Sequence, residues 1–217
     1  MPSSATRAAT LRPAAPPRPP APRGDKRHAI LRAAIRVFAE RGFFGAQVAD
    51  VAREARVAAG TVYLYFRSKD DLLASIFEQT MAEAIAEGRQ TLDTQRDPVE
   101  RLRAMARLHL SRLGRDRHLA VVFQVELRQS TKFMERFSAA QLREYLGLIR
   151  DIIAAGQASG RFRAAVNATL AAKVFFGALD EMATNWMLTR RRYPLASQAD
   201  DVVDLFVGGL GEPGEGA

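Results

Sequence analysis

Apolar positions at Ile30, Leu31, Ala34, Ile35, Val37 and Phe38 recur at helical spacing and stop at Gly42, which predicts a first helix over roughly residues 26–41. Val48, Val51, Ala52 and Ala55 form a second, very short stripe. A break at Arg56-Val57 then precedes the stretch Gly60 to Phe66, so two short helices joined by a tight turn follow the longer one. Ser68-Lys-Asp-Asp71 has the capping-box pattern and opens a helix through Leu72, Leu73, Ile76, Phe77 and Met81. Asp97-Pro98-Val-Glu100 repeats the device with proline at the first helical position. Helical periodicity runs through about 101–114, 117–129 and 134–158, with Gly160 after the longest segment. Asn167 caps a helix holding Leu170, Val174, Phe175, Ala178 and Met182, and Ser197-Gln-Ala-Asp200 opens a last helix expected to end at Gly208-Gly209. Leu119 to Val125 is ambiguous between helix and strand, and no segment alternates as a half-buried strand does. The pattern predicts an all-α chain of about nine helices.

Composition narrows this reading. Cysteine is absent, which removes disulfides, thiolate metal sites and cysteine nucleophiles and fits a reducing cytoplasm. No run approaches the ~18 uncharged apolar residues of a spanning helix. Seven of the ten prolines fall in residues 1–22, among four arginines and no acid over residues 1–24. That segment reads as a disordered basic arm, because the prolines forbid the amphipathic helix of a mitochondrial presequence. Residues 1–24 carry +4, residues 25–69 carry +5 from nine bases and four acids, and residues 70–217 carry −1 from 19 bases and 20 acids. The positive surplus lies wholly in the first third, where it attracts a polyanion or merely solubilises.

That surplus coincides with the two short helices, whose arrangement is helix-turn-helix, the last helix entering a major groove N-terminus first. Ala58, Ala59 and Gly60 are small enough to let backbone approach base edges, and Thr61 adds a hydroxyl. Tyr63 and Tyr65 place phenols toward the two phosphate walls, and Lys69 adds a cation at a helix start that itself favours phosphate. Val62 and Phe66 face inward as core. The competing reading is that the tyrosines also pack a small core.

Ala29 to Leu73, with Phe38 and Gly42, Val51-Ala-Arg-Glu-Ala55 and Gly60-Thr-Val-Tyr-Leu-Tyr-Phe-Arg-Ser-Lys69, resembles the DNA-binding domain of TetR-family transcriptional regulators. The resemblance implies a homodimer whose recognition helices address successive major grooves of a palindromic double-stranded operator, and a larger helical domain that binds a small molecule and dimerises. It divides the chain into a basic arm (1–24), a DNA-binding domain (25–84), a ligand-binding and dimerisation domain (85–211) and a flexible tail (212–217). The DNA-facing set it implies is Gln47, Arg56, Ala58, Ala59, Gly60, Thr61, Tyr63, Tyr65 and Lys69. Two departures stand out. Arg56 occupies a turn position where the family has glycine, at a cost of ~1 kcal/mol if φ is positive. Ala46 and Ala58 stand where hydroxyl caps are usual, each a loss of ~1 kcal/mol.

Leu119-Ala-Val-Val-Phe-Gln-Val-Glu-Leu-Arg-Gln-Ser130 and Phe176-Gly-Ala-Leu-Asp-Glu-Met-Ala-Thr-Asn-Trp186 are similar to one branch of that family, the acyl-CoA-responsive regulators of fatty-acid degradation in Bacillus and Thermus. The implied effector is a long-chain fatty acyl-CoA, which needs an apolar tunnel and cations for its phosphates. Leu102, Met105, Leu108, Val122, Phe123 and Leu127 are candidates for the tunnel, and Arg103, Arg107, His109 and Arg128 for the anionic head. Each has routine core or a solvated helix face as its alternative. Phe176, Asp180, Glu181 and Trp186 fall on the helix that the resemblance makes the dimer interface.

Rival functions compete with this one. A multidrug-efflux regulator of the same family would surround a lipophilic or cationic compound with acids and aromatics. An enzyme is disfavoured: there is no P-loop, no Gly-x-Ser-x-Gly and no His-Glu-x-x-His, and His28, His109 and His118 lack metal-ligand spacing. No metal or cofactor is expected.

Overall fold

The structure is a computed structural model describing residues 23–127, 139–189 and 193–210. The basic arm (to residue 22), Arg128 and the tail lie outside the described residues. Among those residues there are nine α-helices and no strand. Helix α1 spans Arg23–Arg41, α2 Val48–Glu54, α3 Ala59–Tyr63, α4 Lys69–Asp93, α5 Pro98–Arg115 and α6 Arg117–Val121. Helix α7 spans Ala139–Ala158, α8 Ala168–Leu188 and α9 Ala199–Leu210.

Most boundaries follow from local chemistry. Ser68 Oγ accepts from Asp71 N at 3.1 Å, while the Asp71 carboxylate reaches one residue further back, to Arg67 N at 2.8 Å. Asp97 accepts from Val99 N and Glu100 N, and Asn167 from Leu170 N. At α2 the cap is Gln47 rather than Ala46, and Asp50 accepts from Gln47 N at 3.1 Å. This bond, opposed by burial and reinforced by Arg41 and Arg53, holds the Asp50 carboxyl below its ordinary value. Ala58 does stand at the start of α3 without a side-chain cap. Ser197 caps nothing: its hydroxyl donates to Pro194 O within a 3₁₀ turn over Leu195–Gln198, and α9 then runs through Gly208 and Gly209.

Leu119 to Val125 resolves as helix. Helix α6 passes directly into a π-helical segment, Val122–Glu126, closed by Leu127 N donating to Val122 O at 3.0 Å. The extra residue per turn rotates successive side chains onto three neighbours.

Helix α5 is the central helix, packing against α4, α7, α8 and α9, with Leu102, Met105, Ala106 and Leu110 wholly buried. Each large apolar side chain so enclosed contributes roughly 1.5–3 kcal/mol. Helix α4 belongs to both halves of the molecule. Its first turns bury Leu72, Leu73 and Ile76 beside α1, and its later turns bury Met81, Ala84 and Ile85 beside α5 and α7. A second junction ties the halves together: buried Glu126 accepts from Phe43 N at 2.6 Å, across from the α1–α2 loop.

Candidate nucleic-acid interface and ligand cavity

Helices α1 to α3 set their core with Phe38, Val51, Val62 and Phe66, all buried. Opposite this core, α3 projects from the molecule. Gln47, Arg56, Ala58, Ala59 and Gly60 are exposed, Thr61 and Tyr65 half-buried, and Tyr63 is 57% exposed. Neither phenol hydroxyl has a hydrogen-bond partner among the described residues. A Cβ at Gly60 would meet nothing within 4 Å, so nothing inside the chain requires glycine there. Arg56 has φ 57°, the left-handed conformation expected of the turn.

Lys69 is placed differently from the sequence expectation. Its ammonium donates to Phe44 O at 3.2 Å and Ala46 O at 3.0 Å and lies 4.6 Å from the Phe43 ring centre. The cation locks the α1–α2 loop to the start of α4. Leu64, 81% exposed at the end of α3, had no signal in the pattern beyond its place between two tyrosines.

Two cavities meet between α4 and α5. The outer one, 540 Å³, is lined by Glu87, Thr91, Gln95, Ala104, Arg107, Leu108, Ser111, Arg112, Arg115 and Leu119. The inner one is an apolar slot of 70 Å³, walled by Phe77, Met81 and Ala84 of α4, Leu108, His109 and Leu113 of α5, Phe123 of the π segment, Tyr145 of α7 and Phe176 of α8. Leu108 and Arg112 belong to both, so an arginine-bordered mouth opens onto an apolar slot.

The slot holds a small polar cluster. His109 Nδ1 shares a hydrogen bond with Tyr145 Oη at 3.2 Å, and Gln124 donates to Asp180 at 2.8 Å and accepts from Thr184 at 3.1 Å. Burial lowers the His109 pKa to about 4, against a smaller opposing pull from Asp180, so the ring is neutral at neutral pH. Burial likewise raises the Tyr145 phenol.

A third region is an open apolar groove of 550 Å³ between α8 and α9, lined by Leu170, Val174, Ala178, Met182, Val202, Leu205 and Phe206 among others. Leu205 is 79% exposed at its edge.

The profile described as bacterial regulatory proteins of the tetR family matches residues 30–76, and that of the YsiA-like protein C-terminal region matches residues 77–209. The chain belongs to the TetR family. It is 34% identical over 181 residues to the fatty acid metabolism regulator protein of Bacillus subtilis strain 168, a match covering 83% of this chain and 93% of the relative. The fatty acid degradation regulator FadR of Bacillus halodurans superposes with a TM-score of 0.79 at 36% identity, over 84% of this chain and 98% of that one. FadR of Bacillus subtilis, solved in complex with stearoyl-CoA, superposes with a TM-score of 0.80 at 34% identity over the same shares. This TetR-family chain is therefore a DNA-binding transcriptional regulator, with its helix-turn-helix in α2 and α3.

Within that family frame several expected positions shift. Leu102, Met105 and Val122 are wholly buried core, and Leu127 is buried beside them; none lines the slot, whereas Leu108 and Phe123 do. Arg103 pairs with Asp204 at 2.5 Å on the α9 side, away from the mouth, because α9 presents Asp200 and, one turn on, Asp204 to it. Arg107 borders the mouth but also binds Asp200 at 2.8 Å. His109 sits in the slot rather than among the arginines. Phe176 and Asp180 face the slot, and Trp186 is buried, its indole N–H donating to Tyr193 O at 2.9 Å. Of the four residues expected at a dimer face, only Glu181 is exposed, since helical periodicity turns Phe176 and Asp180 toward the slot and Trp186 toward Arg117 of α6 and Tyr193. Sequence reading missed Arg112, Arg115, Ser111 and Tyr145, and it missed Leu205 on α9. The overlooked signal was the i, i+4 spacing of Leu108 with Arg112 on one face of α5.

Proposed function

We propose that this chain is a homodimeric repressor of fatty-acid degradation genes, acting in the cytoplasm and released from its operator when a long-chain acyl-CoA fills the α4–α5 site. The carrying observation is the junction of the two cavities. Three arginines and one glutamate border the mouth, and the slot behind Leu108 and Arg112 presents mainly apolar surface, with His109, Gln124 and Asp180 forming a polar patch in its wall. An amphiphile with a phosphate head and a hydrocarbon tail fits that polarity. Asp180 and the aromatic rings of the slot would also suit a lipophilic cation, but the mouth arginines would repel it and the fatty-acid regulators among the relatives favour the acyl-CoA reading. The relative solved with stearoyl-CoA supports the same ligand class.

The DNA-binding unit is assigned to residues 25–84 and the ligand-binding and dimerisation unit to residues 85–211. Exposed Gln47, Arg56, Ala58, Ala59, Gly60 and Tyr63, with half-buried Thr61 and Tyr65, meet the operator, while Lys69 supports them by fixing the loop. Two copies join through the apolar α8–α9 groove. At 70 Å³ the slot is far below the roughly 300–1,000 Å³ of ligand sites, so an acyl chain enters only as the slot widens. Its outer wall is α4, which carries the DNA-binding helices at its start. Widening therefore tilts α4 and takes the two recognition helices off the ~34 Å spacing of successive major grooves. Acyl-CoA acts through its differential affinity for the two states and leaves unchanged, an effector rather than a substrate.

The test is ligand extraction and thermal melting. Protein purified from growing cells releases acyl-CoA on denaturation, identified by mass spectrometry, and added stearoyl-CoA raises Tm while lipophilic cations do not. The opposite pattern of melting shifts would favour the efflux regulator.

A further inference from the structure

Resting on the acyl-CoA reading, we propose that the ligand's anionic head works by taking the Arg112 guanidinium away from Glu83 and Glu87 of α4, and that this exchange is what frees the DNA-binding helices. Arg112 borders the mouth, the slot and a third groove between α1 and α4, and among the described residues it alone is common to all three. From α5 it reaches across to α4, donating through one Nη to Glu83 at 3.0 Å and through the other to Glu87 at 2.6 Å. These two bonds clamp together the helices that must part for the slot to widen. Its Nε is sealed from solvent and has no partner among the described residues, so the guanidinium holds an unused donor beside both cavities.

The clamp is suited to exchange. The Arg112 side chain is only 20% exposed, but both carboxylates are half-exposed, so each pair is individually weak and its release costs little. A phosphate takes arginine in a two-pronged geometry with more charge than a carboxylate. A neutral amphiphile with the same tail has nothing to offer Arg112, which makes the head a requirement for release and not only for affinity.

From Glu83 a series of contacts leads to the recognition helix. Its second oxygen accepts from Gln79 Nε2 at 3.0 Å, and Gln79 Oε1 accepts from Arg27 Nη1 on α1 at 3.1 Å. A carboxylate only accepts and a guanidinium only donates, so the Gln79 amide is fixed in one sense between them. The Arg27 guanidinium lies 5.3 Å from the centre of the Phe66 ring, and Phe66 N donates to Val62 O to close α3. The groove lined by Gln79 and Glu83 thus joins α5, α4 and α1, and the Arg27–Phe66 contact carries the connection on to the end of α3. When Arg112 leaves, Glu83 loses its hold on α5 and α4 moves with α1.

The test measures stearoyl-CoA affinity for the free dimer and for the dimer bound to an operator duplex, since coupling is reciprocal. The wild type is expected to bind stearoyl-CoA at least tenfold more weakly when on DNA. In the Glu83→Gln/Glu87→Gln variant, affinity for the free dimer rises severalfold and the ratio falls toward one. Gln79→Ala touches no part of the mouth or slot; it keeps the wild-type affinity for the free dimer, and its ratio falls severalfold. A double variant with the wild-type ratio overturns the exchange, and a Gln79→Ala protein with the wild-type ratio overturns the path to α1. Wild type that binds no stearoyl-CoA at all would instead strike at the underlying function.

Discussion

Gly60 and Arg56 show how much a single position reveals. Glycine in a helix costs about 1 kcal/mol relative to alanine, and at Gly60 no neighbour within the chain demands it. Gly60→Ala is therefore expected to leave stability unchanged or raise it by up to about 1 kcal/mol in urea melts, while weakening DNA binding, because the excluded volume lies on the partner's side. Arg56 was legible as strained because a glycine turn held arginine, and its φ of 57° bears this out. Arg56→Gly is expected to stabilise by up to about 1 kcal/mol and, through the lost phosphate contact, to flatten the dependence of log affinity on log salt by about one unit. Lys69 was not legible in the same way. Sequence showed a cation at a helix start; only the folded α1–α2 loop shows the carbonyls of Phe44 and Ala46 that occupy it. His109 adds a pH signature. Its folded pKa of about 4 lies below the ordinary 6.5, so the unfolded chain binds the proton first as pH falls. Stability is accordingly lost between about pH 6.5 and pH 4, and His109→Phe flattens that slope in denaturation midpoints measured across the range.

The starts of α4 (hydroxyl and carboxylate), α5 (aspartate and proline) and α8 (asparagine) were readable from pattern because their caps are local chemistry. The start of α9 was not. Ser197-Gln-Ala-Asp200 has the cap spacing, but Pro194 sets a 3₁₀ turn that takes the serine hydroxyl first. The π segment is the other element the pattern left open, since an apolar run carries no period that separates π from α or strand. Its geometry sends Phe123 onto Phe77, with ring centres 5.6 Å apart, Gln124 onto Asp180 and Glu126 onto Phe43 N, so one turn braces three parts of the fold. Removing the Glu126 carboxylate leaves a buried backbone N–H unpaired. Glu126→Ala is expected to destabilise by about 1–3 kcal/mol in chemical denaturation, with Glu126→Gln losing less.

At the scale of the whole molecule, the all-α architecture followed from periodicity, whereas the cavity depended on which faces of five separate segments converge, and that is not a property of any one of them. The proposed dimer face is a similar case: α8 was singled out by its apolar run, but its exposed stripe is Leu170 and Val174, and Leu205 of α9 lines the same groove. Leu205→Asp is expected to give monomers in sedimentation and, by removing the paired half-sites, to weaken operator binding by two orders of magnitude or more. The positive surplus lies in the first third of the chain, with the helix-turn-helix, and the proposed effector site lies at the α4–α5 junction. The direct test of their connection is fluorescence anisotropy of a duplex selected by the protein from random sequence, titrated with dimer at fixed salt with and without saturating stearoyl-CoA. The account requires tight binding alone and at least tenfold weaker binding with the acyl-CoA; equal affinity in both titrations would contradict it.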